Sequence, residues 1–579
     1  MVLAPLAATP ALAAVQSGEP QRGGPVQLQR GDDMALVQDS RLFSATIAGR
    51  LARNADDPIL AARAFERAAD ARPADMNLLR RATDAWIDAG QPAQALPLAR
   101  RMPADARSGS AALVLAADAI QRRRPQDVPA LFVGPAWGPG DRMLATALEA
   151  AAHAMRRRWS EALALTADLQ GSRGASRAAL AARGLILEQS GNRADALLAY
   201  GTAWNNGQQT VGVAWLKARA EAAAGDRAAA LATLEQGLAA SGQVPLLTGL
   251  KAQIEAGRVP RLPEARETAV WSLFLIGEAQ ASDPRGTSPV TALSLALYLR
   301  PALDEARVPL AAWLVARGRV SEALIRLEEI GPRSGYSVDA IITRAWLMRQ
   351  RGEAEAAGTL LRTAAANTTV PRMIEARAAF DLMDGRFADA VAGYTALIDG
   401  AGSAGASNQI LAGYFYGRGT ALEALDRWPE AERDLRRAVE LQPRNASYLN
   451  GLGYGLADRN QNLPEALRLL RQAVRLDPRN GAIVDSLGWA HYRAGNYAEA
   501  VSTLERAVML APASPEIIDH LGDAYWKAGR ENDARIEWRK ALALRPPAEL
   551  SARIEAKLAQ GLDAVETAER RAAMNETAG

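Results

Sequence analysis

The stretch Ile518-x-x-Leu521-Gly522-x-x-Tyr525, followed by Ala534-x-x-x-Trp538, Ala541 and Pro546, decides the fold, because it is the last of four copies. The copy before it has Leu487-Gly488, Ala500, Leu504, Ala507 and Pro512. Before that come Leu452-Gly453, Ala466, Leu470, Ala473 and Pro478, and first of all Gly419, Ala431, Leu435, Ala438 and Pro443. The prolines are 35, 34 and 34 residues apart, and the glycines 34, 35 and 34. Gly453 to Ala466 spans 13 residues where the other copies have 12, an insertion that falls in Asn460-Gln461-Asn462, between the two helices expected in each copy.

Small residues at the glycine and first alanine places let two helices of one unit approach closely, and larger side chains there would overpack at roughly 1–3 kcal/mol each. Tyr525 and Trp538 are expected to fill the space between units. Pro closes each copy because it has no N–H with which to continue a helix. The period and residue pattern resemble tetratricopeptide repeats, helix-turn-helix units that stack in series. The resemblance implies an all-α, right-handed superhelical solenoid.

At 579 residues the chain is too long for one core. Hydrophobic residues make up 49% and aromatics only 5%, which suits an Ala/Leu-rich helical array. A net charge of +3, set against 68 basic and 65 acidic residues, carries no nucleic-acid signature, and no basic block interleaved with aromatics appears. The absence of Cys removes disulfides, thiolate metal sites, Cys nucleophiles and a lipid-modified N-terminal Cys.

Residues 1–14, MVLAPLAATPALAA, are small, apolar and uncharged, and Ala11-Leu12-Ala13 fits the small-x-small cleavage pattern of a secretory peptide. No Lys or Arg precedes this run, as a start assigned too far downstream would explain, and a disordered Ala/Pro tail is the plainer alternative. Export is the expectation, with 15–33 as a Gly/Pro/Gln-rich linker. No later segment approaches the ~20 uninterrupted apolar residues of a membrane span, while peripheral membrane association is compatible with the chain.

An N-terminal array is expected over 34–240, where Gly49, Ala61, Phe65, Ala68 and Pro73 reproduce the C-terminal spacings and Ala162, Ala196 and Ala230 lie one 34-residue period apart. Phase is lost over 241–268, with Pro245, Pro260 and Pro263, and this broken unit is the expected division of the chain. A central array at 269–398 carries Gly277, Ala323, Ala357 and Ala390. The Gly/Ala/Ser run at 399–408 reads as a flexible loop and a second, weaker boundary, ahead of the clean repeats at 409–547. In all, roughly fourteen units are expected. Over 548–579, Leu550, Ile554 and Leu558 share one helical face and predict a capping helix, with a frayed tail beyond about Val565.

Three His residues are too few for most metal or acid–base constellations. His491 stands where the next copy has Tyr525, a core place. Consecutive residues on a helix point about 100° apart, so Asp519 and His520 are no oriented dyad, and His153 reads as a surface residue. Gly451-Leu-Gly-Tyr-Gly455 follows no strand and is explained by the repeat. Arg122–Arg124 and Arg156–Arg158 are short basic runs that default to solvated faces. No cofactor, metal or catalytic constellation is expected, and an enzyme with an unrecognised site is the outlying reading.

In stacks of this kind the first helices line a concave face. Stepping along them gives Tyr416 and Glu423, then Asn450, Tyr454 and Asp458, then Asp485, Trp489, Tyr492 and Arg493, then Asp519, Asp523, Trp526 and Lys527. Trp489 and Trp526 are the expected anchors, since Trp and Tyr are common binding hot spots. Rings half-buried against neighbouring helices are the competing expectation. Alternating carboxylates predict a partner with apolar anchors and some positive charge. A basic clamp for a C-terminal carboxylate is disfavoured, because its places carry Tyr416, Asn450, Asp485 and Asp519.

The phrases Leu449–Asp458, Val484–Arg493 and Asp519–Trp526 resemble a proteobacterial envelope subfamily of exported repeat proteins. One member type is similar: the outer-membrane lipoprotein adaptor that activates a carboxyl-terminal processing protease and presents cell-wall hydrolases to it. The resemblance covers about residues 411–560. It implies a periplasmic, non-catalytic scaffold or adaptor whose partners are a protease and its hydrolase substrates. The alternative is a structural component of envelope assembly or of polysaccharide or protein secretion. The missing Cys separates the chain from a lipidated adaptor.

Overall fold

The computed structural model describes residues 44–576 except 54, 56, 135–136, 138, 169–174, 206–208, 284–286, 367 and 405. The expected signal peptide and linker lie outside these. Among the described residues every regular element is a helix. The chain forms two compact units that part between Leu347 and Met348, and neither 241–268 nor 399–408 is the boundary.

In the C-terminal unit the hairpins follow the repeat. They are α20 (Pro371–Met383) with α21 (Phe387–Ala404), α22 (Asn408–Ala424) with α23 (Trp428–Leu441), and α24 (Ala446–Asp458) with α25 (Leu463–Leu476). Then come α26 (Gly481–Arg493) with α27 (Tyr497–Leu510), and α28 (Pro515–Lys527) with α29 (Glu531–Ala543). First helices start on side-chain caps: Asn445 accepts from the amides of Ser447 and Tyr448, and Asn480 from that of Ile483. The turn inside a unit needs a left-handed residue, supplied by Gly529 (φ 78°) or, in the copy with the insertion, by Asn460 (φ 56°). Gly522 marks the closest approach: a Cβ there would lie 2.4 Å from the fully buried Trp538 indole.

Two expectations about connections are corrected. The run 399–404 continues α21 as helix, and Ser407 then caps α22, so only a short link separates them. After α30 (Ala548–Gln560) the chain does not fray near Val565 but turns at Gly561 (φ 83°) into α31, Leu562–Glu576, which buries Leu562 and Val565. The predicted cap is α30, with Ile554 wholly buried.

The N-terminal unit begins with the same hairpins. These are α1 (44–53) with α2 (Pro58–Ala71), α3 (Met76–Asp88) with α4 (Pro92–Arg101), and α5 (Gly109–Gln121) with the short α6 (Val128–Leu131). They continue as α7 (Pro139–Met155) with α8 (Trp159–Asp168), α9 (Ala175–Gln189) with α10 (Arg193–Asn205), and α11 (Val211–Ala223) with α12 (Arg227–Ser241). The broken stretch then yields α13 (Pro245–Glu255), an extended segment 256–264 and a 3-10 turn (Ala265–Glu267).

From there the unit departs from an open stack. The next helix, α14 (Thr268–Ala281), is buried from Thr268 to Gln280, packed on first helices α7, α9 and α11. Its partner α15 (Val290–Leu299) packs on α3, α4 and α5. A helix apolar on every side has no solvent face to offer and belongs inside. The carboxylate of Glu278 accepts from the amides of Val211 (2.8 Å) and Gly212 (3.0 Å), where α11 exposes unpaired N–H groups.

The following hairpin, α16 (Asp304–Ala316) with α17 (Val320–Glu328), closes on the beginning: Arg319 and Arg326 donate to the carbonyls of Asp88 and Gly90. The expected trough along the N-terminal array is therefore filled by the chain itself. Beyond it α18 (Ser337–Gln350) and α19 (Ala354–Ala365) continue the sequence of helices.

Candidate partner-binding face

The first helices of the C-terminal unit bring the expected side chains into one row, and the structure sorts them into two groups. At α22 and α24 the row is accessible. Tyr416 and Tyr448 lie ring against ring (4.8 Å), and a Cβ on Gly451 would stand 2.8 Å from the Tyr416 ring, so glycine makes the seat for it. Asn450 is half-buried with an Oδ1 that has no hydrogen-bond partner. Tyr454 is half-buried beside the Trp489 cluster, and burial, with Asp458 and Asp485 nearby, pushes its phenol up to about 12.

Glu375 on α20, which the sequence row passes over, is solvent-exposed yet flanked by tyrosines. It adds to the burial that raises the phenol pKa values of Tyr394, Tyr414 and Tyr448. Desolvation raises its own pKa, with Arg372 in partial opposition. The available signal was the repeat phase of Ala390, which places α20 as a first helix.

At α26 and α28 the row is covered, and the expectation of free anchors there is corrected. Trp489 is 7% exposed, stacked between Tyr492 (4.7 Å) and His520 (4.3 Å), and its indole N–H donates to Asp458 at 3.0 Å. Arg493 lies 4.0 Å from the same carboxylate. Trp526 rests on Gly561 and donates to Asp563 at 2.9 Å, while Lys527 pairs with Asp563 and, at 2.8 Å, with Glu566. The Tyr492 hydroxyl donates to Glu566 at 2.7 Å. Thus α31 lies along the row and reaches back from α28 to α26.

Beneath it α30 stands in the place of a next first helix. Lys557, fully buried, holds Asp519 (2.8 Å) and Asp523 (2.7 Å), and the Trp538 indole donates to Asp523 as well. Burial, together with the Asp519 charge, pushes Asp523 up to about 6 against the pull of Lys557. The single charge of Lys557, helped from 4.0 Å by Arg553 at Asp519, does not fully offset two buried carboxylates, which is why the pKa is raised and not lowered.

The remaining histidines are structural. His520 Nδ1 lies 3.0 Å from Asp485, a partner one repeat away and not its neighbour Asp519. His491 is buried as expected, its pKa lowered by burial. His153 is half-buried with an unpartnered Nδ1 rather than a surface residue. Among the described residues no three His, Asp or Glu side chains gather as a metal site, and no helix is long and apolar enough to cross a membrane.

Residues 416–481, 456–516 and 486–549 match the tetratricopeptide repeat family model. No curated protein matches the chain. Among solved structures, a tetratricopeptide repeat protein from Parabacteroides merdae is 17% identical over 44% of this chain and 97% of its own (TM-score 0.37). MamA from AMB-1 is 19% identical over 30% and 96% (TM-score 0.25). The Cut9–Hcn1 assembly contains a chain 13% identical over 91% and 98% (TM-score 0.37). At these identities and TM-scores the likenesses carry no conclusion for this chain, and the family model alone does. Residues 416–549 thus carry tetratricopeptide repeats, within an all-α fold of stacked hairpins.

Proposed function

We propose that the protein is a non-catalytic scaffold of the bacterial cell envelope, periplasmic, which holds a partner protein on the first-helix face of its C-terminal unit and presents it to a processing protease. The observation that carries the binding part is the accessible row on α20, α22 and α24. There Glu375 is exposed and Tyr416, Tyr448 and Tyr454 are half-buried. Such a row offers aromatic contact area and carboxylates to a segment with apolar anchors and positive charge. The envelope and protease parts rest on the Ala11-Leu12-Ala13 pattern and on the phrases at Leu449–Asp458, Val484–Arg493 and Asp519–Trp526.

A cross-linked pull-down from envelope extract, read by mass spectrometry, tests both parts. The expected result is co-purification of a protease and its substrate with the full chain, reduced at least tenfold by Tyr416→Ala with Tyr454→Ala. Recovery of secretion or assembly subunits in their place would replace the adaptor reading with a structural one. Capture indifferent to the two tyrosines would remove the face from consideration.

A further inference from the structure

The stretch where the repeat loses phase builds a pocket on the side of the N-terminal unit. Trp215 on α11, Pro245 and Leu246 at the start of α13, Pro260 in the extended segment, Glu305 at the start of α16 and Tyr336 ahead of α18 wall a cavity of about 370 Å³. A second cavity of about 470 Å³ shares Trp215, Leu246, Pro260 and Glu305 and continues past Arg261 to Arg300. The irregular backbone of 258–264, held open by Pro260 and Pro263, cannot pack as closely as a second helix.

Two groups in the walls lack partners of the kind their chemistry calls for, and a third presents a fixed ring. Tyr336 is 7% exposed, and its buried hydroxyl proton has no acceptor, although the Leu246 amide faces the phenol oxygen. The Glu305 carboxylate has no cation in direct contact among the described residues: its own backbone amide donates to it and Arg300 and Arg307 act on it only from farther off, whereas its neighbour Asp304 is taken by Arg307 at 2.8 Å. Trp215 is half-buried, and its ring is fixed by stacking on Trp271 at 4.7 Å. The first cavity contains Asp304 and Glu305 and no basic side chain. A half-buried carboxylate with no cation in direct contact, beside a buried hydroxyl donor with no acceptor, is costly to keep, so such a wall has its missing partners in a ligand.

We propose that this pocket receives a Lys or Arg side chain from an extended protein segment. The charged head lies at Glu305, the aliphatic stem runs along the Trp215 indole, and a backbone carbonyl beside it accepts from the Tyr336 hydroxyl. Cation and indole attract each other when desolvated together, and one peptide residue supplies both the cation and the acceptor. Charge complementarity selects this occupant over an acidic or neutral segment. The inference rests on the protein-binding reading but uses a different unit and different residues from the tyrosine row.

The test uses the full chain and a fluorescein-labelled peptide Gly-Ala-Arg-Ala-Gly, with Lys, Gln and Glu counterparts at the central position, followed by anisotropy. Saturable binding of the Arg and Lys peptides is expected, with at least tenfold loss for Gln and Glu. Glu305→Gln and Tyr336→Phe, which keep the shape of the walls, should each weaken Arg binding at least fivefold while circular dichroism stays unchanged. Equal binding of all four peptides, indifference to Glu305→Gln, or no binding at all would overturn the proposal. Partner capture by the C-terminal unit, measured in the same variants, should not change. Loss of capture with intact peptide binding would instead count against the scaffold reading and leave the pocket standing.

Discussion

Arg326 donates a hydrogen bond to the backbone carbonyl of Gly90 at 2.8 Å, joining α17 to the end of α3 across 236 residues of chain. The same guanidinium reaches Glu329 at 3.1 Å, and Arg319 does the equivalent at Asp88. Removing the side chain strands a carbonyl at a helix C-terminus. Arg326→Ala is expected to lower stability by about 1–3 kcal/mol. Hydrogen exchange should rise together at 76–90 and 304–328. A rise confined to α17 would show that the contact does not hold the ring shut.

Lys557 is the only cation at hydrogen-bond distance from Asp519 and Asp523 among the described residues. Lys557→Met leaves two buried carboxylates with only Arg553, 4.0 Å from Asp519, to offset them, and a broken buried pair costs about 3–5 kcal/mol. Adding Asp519→Asn and Asp523→Asn is expected to restore most of that, because the penalty belongs to the stranded charge. Urea midpoints of the single and triple variants check this. A triple variant no more stable than Lys557→Met would assign the lysine a packing role alone.

Burial by itself would lower the pKa of His520, but Asp485, with Asp519 and Asp523 beyond it, outweighs burial and raises it. A folded pKa above the unfolded value of about 6.5 gives stability that is complete below that pH and fades as pH rises through the folded value. Asp523, held up to about 6, acts in the same direction: its proton stabilises the fold most below about 4, and that contribution is lost by pH 6. The His520 and Asp523 contributions are therefore expected to fall from pH 5 to pH 8, opposed by His491, whose lowered pKa favours the fold as pH rises through about 6.5. His520→Gln should flatten the upper part of the curve. Parallel curves would refute the His520 assignment.

Beyond Val565, α31 buries no apolar side chain among residues 566–571, and its hold on the row is made by Asp563, Glu566 and Glu569 against Lys527, Tyr492 and Arg553. Asp563→Lys with Glu566→Lys should reverse that attraction. Amides of α31 are then expected to exchange at least tenfold faster while those of α30, anchored by Ile554 and Lys557, keep their protection. Unchanged exchange in α31 would mean that Leu562 and Val565 suffice to hold it.

The repeats were legible because period, closing prolines and small residues at the contact all record one local geometry. The insertion at Asn460–Asn462 fell where expected, with Asn460 and Asn462 both left-handed in the turn. The fate of Trp489 and Trp526 was not legible. Trp526 is covered from Asp563, dozens of residues on and outside the repeat register, and Trp489 is stacked between Tyr492 and His520, rings that the repeat pattern does not assign to it. The filling of the N-terminal trough had a signal that went unused: TAVWSLFLIGEAQA at 268–281 is apolar on all sides, whereas a first helix facing an open trough needs a polar edge. Phase alone, carried by Gly277, could not distinguish a helix that extends the stack from one that enters it.

Because α14 and α15 pack on helices α3 to α11, the first hairpins leave the ribosome well before the helices they pack around exist. At ordinary synthesis rates of about 5–20 residues per second, α3 emerges roughly 10–40 s ahead of α14. Over that interval the surfaces that later hold Trp271, Phe274 and Leu293 face water. Synthesis of this chain is thus expected to demand a holding chaperone at mid-length, and the demand should end as α17 appears and ties the ends of the ring.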